Sequence, residues 1–138
     1  MRRILISEDD RVVPWVGSRV EEDQFGQCSS IGLEENDELI AGVVYNMYTG
    51  ISVSMHVAAV PTRRWLDRSF LYICFITPFK YMSCNRVTGL VRSDNALCIR
   101  FVEKLGFKKE GEMRQACDDG SNLMIYGMLK NECRYLEI

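Results

Sequence analysis

The stretch that most constrains this chain runs from Asn95 to Arg114, NALCIRFVEKLGFKKEGEMR. Cys98, Phe101, Val102 and Leu105 fall at i, i+3, i+4 and i+7, so one stripe of a helix is apolar. Ser93, Asp94 and Asn95 supply N-cap chemistry at its start. Gly106 follows the last periodic residue, where a left-handed residue closes a helix. Phe107 can then pack back onto the last turn, and the residues after it lead into a strand. The unit reads as capped helix, sharp stop, buried Phe, strand.

The 138 residues fall in the range of about 100–200 that one domain takes, so a single domain spanning 1–138 is expected. A hydrophobic content of 47% with 10% aromatics supports a sizeable core. A net charge of −2 offers no electrostatic footprint for nucleic acid. No apolar run approaches the roughly 20 residues that span a bilayer, and the apolar stretch near Met1 is too short for a signal peptide. A cytoplasmic protein without a membrane partner is the expectation. Of the six cysteines, none form a C-x-x-C pair, and there is one His. No metal site is expected, and reduced thiols used as small core residues are the better reading.

Taken in order, Arg3–Glu8 reads as a strand and Arg11–Glu22 as a helix with Pro14 tolerated in its first turn. Cys28–Leu33, Leu39–Tyr48 and Ile51–Val60 read as three strands of an antiparallel meander. The acidic run Glu34-Glu35-Asn36-Asp37-Glu38 between them reads as a solvated turn. Thr62–Tyr81 is the longest helical candidate, with Pro78 expected to kink or shorten it. Arg86–Val91, Glu112–Cys117 and Asn122–Tyr135 complete the strands. The run of strand, helix, strand, helix in the middle implies a right-handed parallel crossover from Ile51–Val60 to Arg86–Val91.

An Asn opening a helix, then Glu-Lys-Leu-Gly-Phe, Glu-Gly and an Arg, resembles the GCN5-related N-acetyltransferase family. The match is specific over Arg86–Arg114 and looks like the ribosomal-protein N-terminal acetyltransferase branch. The resemblance implies an α+β (α/β) fold with a mixed, mostly antiparallel sheet and flanking helices. A central parallel pair of strands splays apart, and acetyl-CoA enters the gap as co-substrate. It implies acetyl transfer to the amine of a small molecule or protein by direct attack. A second helix usual near the N-terminus is missing or vestigial here.

The family's pyrophosphate loop falls, by ungapped count, on Thr62 to Asp67, where its glycine positions are Arg63, Trp65 and Asp67. One reading has Arg63, Arg64 and Arg68 supplying charge in place of a glycine nest. A small shift would also leave amides of Leu66 to Ser69 free for phosphate. The other reading is a solvated basic helix start with Asp67 as an ordinary cap. Basic residues oppose the dipole at a helix N-terminus, which tilts the choice towards anion binding. The cofactor-binding set is therefore Val57, Ala58, Arg63, Arg64, Trp65, Leu66, Arg68, Ser69 and Asn95. Asn95 would touch the pantetheine arm, although an N-cap role competes for the same side chain.

Candidates for chemistry are His56, Cys98 and Glu8. The family's frequent acid Tyr, seven residues after the Asn, is Val102 here. Cys98 stands where the resembled branch often has a Ser near the thiol, yet it also lies on the apolar stripe. His56 titrates near neutrality and sits on the strand implied to carry the acetyl group. It alternates with Met55 and Val57, so it faces away from them. Glu8 and Trp15 fall where the acceptor side of the cleft is usually built, with core packing as the other reading for Trp15. The missing glycines and Tyr leave two further readings open: a degenerate fold working as an interaction module, and a CoA-sensing regulator. An exposed final strand carrying Leu123, Ile125, Met128 and Leu129 would suit pairing into a homodimer.

Overall fold

The computed structural model describes residues 1–20, 22, 24–61 and 64–137. Seven strands form one sheet: β1 (Arg2–Leu5), β2 (Cys28–Glu35), β3 (Glu38–Asn46), β4 (Ser52–Ala59), β5 (Arg86–Arg92), β6 (Lys108–Met113) and β7 (Leu123–Leu129). Their spatial order is β1-β2-β3-β4-β5-β7-β6, antiparallel throughout except for the parallel pair β4–β5. Three helices flank it: α1 (Asp9–Val20), α2 (Arg68–Ile76) and α3 (Ala96–Leu105). The mixed sheet with a central parallel pair matches the expectation. No described residue between α1 and β2 is helical, so the second N-terminal helix is absent there.

Alternation along the strands sends successive side chains to opposite faces. Val43, Tyr45, Val53 and Met55 join the larger core, with Phe70 and Phe75 of α2 and Leu105 of α3. Val44 and Ala58 join the smaller core, with Val12 and Val16 of α1. So α1 covers one face and α2 with α3 the other. Close approach of α1 depends on Gly42, where an added Cβ would lie 2.7 Å from Val16 Cγ2 and 3.2 Å from Val12 Cγ1. Gly42→Val should therefore push α1 off the sheet and cost about 1–3 kcal/mol. A denaturant midpoint equal to that of the parent would contradict this packing.

Glu34 corrects the expectation of a solvated acidic turn. It belongs to β2 and is 3% exposed, with its carboxylate held by Arg3 of β1 and Arg11 of α1. The Arg11 hydrogen bond, then that from Arg3, holds its pKa below the ordinary 4.5 despite burial. A depressed carboxylate contributes stability that is present above its unfolded pKa and is lost as pH falls through the folded one. Glu34→Gln should lower the melting temperature at neutral pH, and the gap to the parent should close only below pH 4.5. A gap already closed at pH 6 would contradict the ion-pair assignment.

The long helical candidate begins later than expected. Asp67 is extended (φ −109°, ψ 161°), and its Oδ1 accepts from the Phe70 amide at 2.7 Å, so α2 starts at Arg68. Pro78 ends the α-helix as predicted, and Thr77–Tyr81 forms one π-type turn. The helix α3 is closed as its sequence implied. Asn95 Oδ1 accepts from the Cys98 amide, and Gly106 is left-handed at φ 114°.

Three strands differ from expectation. The first strand stops at Leu5, because Glu8 already belongs to the start of α1, its carbonyl accepting from the Arg11 and Val12 amides. The strand expected at Glu112–Cys117 lies at Lys108–Met113, where mostly exposed side chains give no burial pattern to read. The last strand ends at Leu129, where a 3-10 turn follows. It is also not an edge: β7 pairs with β5 on one side and β6 on the other. From Leu123 to Gly127 its backbone is paired on both sides, and Met128 is fully buried, so it is not the exposed strand that pairing with a second subunit needs.

Candidate active site

The parallel pair is joined over only three residues, Ser52–Ser54 against Arg86–Thr88. Beyond Ser54 and Thr88 the strands part. The gap opens into a cleft of about 600 Å³ whose lining includes the consecutive residues Met55 to Ala59 of β4 and Gly89 to Arg92 of β5. Consecutive strand residues point to opposite faces, so both strands present their edges to the cleft. An edge carries backbone N–H and C=O groups without a neighbouring strand. Phe70, Cys74 and Phe75 of α2, and Cys98, Phe101 and Val102 of α3, wall one face. Arg19 and Glu22 line the cleft at the end of α1.

His56 faces away from Met55 and Val57, as their alternation predicted, and the side it faces is that of α1. Its Nε2 lies 2.9 Å from Asn46 Oδ1, and its ring meets the edge of Phe25 at 5.0 Å. Burial lowers its pKa from the ordinary 6.5, against the opposing pull of the Glu22 carboxylate. At neutral pH the ring is thus uncharged and able to accept a proton. On the other face Cys98 is half-buried, and burial raises its thiol pKa. It stays protonated at neutral pH.

No protein-family model matches the chain, and no curated protein matches it in sequence. Solved structures do match. The chain superposes on a spermidine/spermine N-acetyltransferase SpeG from Vibrio cholerae with a TM-score of 0.77 at 12% identity, covering 99% of this chain and 98% of that one. The same enzyme in complex with CoA and spermine gives 0.72 at 15% identity, over 99% and 98%. Ard1 from Thermoplasma volcanium gives 0.69 at 16% identity, over 93% and 97%. The fold is that of the GCN5-related N-acetyltransferases.

Within this acetyltransferase fold the cleft gathers His56, Val57, Ala58, Trp65, Asn95 and Cys98 of the residues expected from sequence. Asn95 has the N-cap role and lines the cleft as well. Its Oδ1 caps α3, while its Nδ2 remains a donor on a side chain that lines the cleft. Trp65 packs against Phe101 at 5.4 Å and forms part of the apolar wall.

Other expected residues lie elsewhere. Glu8 is outside the cleft lining, and its carboxylate sits 3.7 Å from Arg11 at the start of α1. Trp15 packs in the smaller core with the Arg19 guanidinium 4.2 Å over its ring. Arg64 offers its carbonyl to Arg2, whose guanidinium also pairs with Asp67 at 2.8 Å. Arg68 reaches the Glu137 carbonyl, and Leu66, Arg68 and Ser69 are exposed around the start of α2. None of these four line the cleft, and Asp67 is the cap that the alternative reading described. Arg63 lies outside the described residues.

The reading from sequence missed Arg19, Glu22 and the β5 edge. The edge had a signal: if two strands splay, the second is bared for the same reason as the first. Arg19 and Glu22 had none, since they reach the cleft only through the packing of α1.

Proposed function

We propose that this chain transfers an acetyl group from acetyl-CoA to the amine of an acceptor by direct attack, with no acyl-enzyme intermediate. The observation that carries the reading is the bared pair of strand edges facing one apolar cleft. An acyl-pantetheine chain has amide groups that such an edge can bond. Val57 and Ala58 would hold the acyl end, and the Asn95 Nδ2 the arm. The amides of Arg68 and Ser69 open α2 without a carbonyl partner inside that helix. With the exposed guanidinium of Arg64 they offer positive charge to a pyrophosphate.

Both helix starts lie on the α2–α3 side, so the anionic co-substrate enters there. The acceptor then comes from the α1 side, where His56 and Glu22 stand. Glu22 draws a cationic ammonium in, and His56 takes its proton so that a neutral amine attacks the thioester carbon. Cys98, neutral through burial, offers its S–H to the departing thiolate. The likeness to an enzyme solved with CoA and spermine supports the class of reaction.

The test is acetyl transfer followed by mass spectrometry, with spermidine and a short peptide bearing a free N-terminus as acceptors. An acetylated product that requires enzyme, acetyl-CoA and amine together is expected. A protein that binds acetyl-CoA yet acetylates no member of a broad amine panel would contradict the reading.

A further inference from the structure

Asn46 is the last residue of β3 and is buried. Its Nδ2 donates to the Phe25 carbonyl at 3.1 Å, and its Oδ1 lies 2.9 Å from His56 Nε2. A carbonyl only accepts, so the amide nitrogen must face Phe25 and the amide oxygen must face the imidazole. Rotating the amide would set Oδ1 against the Phe25 carbonyl, two buried acceptors with no proton between them. An amide oxygen has no proton to give, so Nε2 has to carry one.

We propose that Asn46 is a positioning residue that holds neutral His56 as the Nε2–H tautomer and leaves the proton-accepting lone pair on Nδ1. The tautomer follows from the two hydrogen bonds alone. Its catalytic consequence rests on the base role proposed for His56. In that role the acceptor ammonium passes one proton to Nδ1, and the imidazolium keeps its Nε2–H bond to Asn46. The freed amine forms the new N–C bond as the C–S bond of the thioester breaks, and the surplus proton on that nitrogen goes to the departing thiolate, which leaves as the CoA thiol. Because Asn46 is anchored through the Phe25 carbonyl, that carbonyl sets which nitrogen is basic. Among the described residues, Glu22 acts on the ring directly, and Arg19 and Arg92 line the same cleft.

The chain has a single histidine, so a sample labelled with ¹⁵N at the imidazole gives one pair of ring signals. Above the titration midpoint, the wild-type protein should show the directly bonded proton on Nε2 and an unprotonated Nδ1. A proton on Nδ1, or an even mixture, would overturn the tautomer assignment without any variant having to fold. Asn46→Leu should admit the Nδ1–H form. Asn46→Asp should move the midpoint up by about one unit or more, since a carboxylate beside the ring favours imidazolium. The acid limb of the kcat/KM profile should move by the same amount. Lower activity at every pH with an unmoved limb would overturn the positioning role. Full activity in His56→Gln would overturn the base role and with it the catalytic consequence, whatever the spectrum shows.

Discussion

Replacing His56 by Gln is expected to cut kcat/KM for acetyl transfer by about a hundredfold to ten-thousandfold, the range that a positioned general base contributes. Affinity for acetyl-CoA should stay within about twofold, because His56 faces the α1 side and the co-substrate is proposed to enter from the other. The pH dependence has a definite sign. Burial sets the folded pKa below 6.5, and the neutral ring is the base. The parent should therefore be on its plateau at pH 7 and lose rate as pH falls below 6.5, while the variant should lack that limb. The same burial makes the unfolded chain bind a proton before the folded one does, so stability also declines below pH 6.5. A variant that keeps both the parent rate and the parent pH profile would remove His56 from the mechanism.

Phe75→Ala is expected to have the largest effect on stability. Phe75 is 1% exposed and stacks on Tyr135 at 5.1 Å and on Phe79 at 6.5 Å, with Phe107 tilted against it at 6.2 Å. Removing it deletes the ring at the junction of α2, Phe107 just past the Gly106 stop of α3, and the C-terminal segment. Large-to-small changes of this kind cost about 3–5 kcal/mol, against a total stability of roughly 5–15 kcal/mol. The melting temperature should fall on the order of 10 °C or more. Phe75 also lines the cleft, so co-substrate affinity should fall with it. A loss below about 1 kcal/mol would show that the aromatic cluster is not the support of the cleft wall.

How legible these features were in the sequence follows the range of the interactions that make them. The α3 unit was readable because its signals are local. Asn95 bonds an amide three residues on, and Gly106 supplies the left-handed stop. The start of α2 was read too early because Leu66, four and seven residues before Phe70 and Ile73, extends the apolar period past the true start, and the signal present, Asp67 as a cap, had a competing reading. Strand β6 was displaced because exposed charged residues show no alternation of burial. Glu34 looked like part of a solvated turn because its partners Arg3 and Arg11 come from two other elements. The place of β7 inside the sheet depends on pairing with β5 and β6, which a single strand cannot announce. Asn46 reads as one more residue of the expected strand Leu39–Tyr48 until Phe25 and His56 are brought to it.

Calorimetric titration of the purified protein with acetyl-CoA and with CoA tests the central claim most directly. The bared edges of β4 and β5 should bind both in the micromolar range, with affinity falling as salt rises because the pyrophosphate is held by exposed charge. A folded protein that binds neither up to millimolar concentration would contradict the account and leave the acetyltransferase fold as a scaffold for some other purpose.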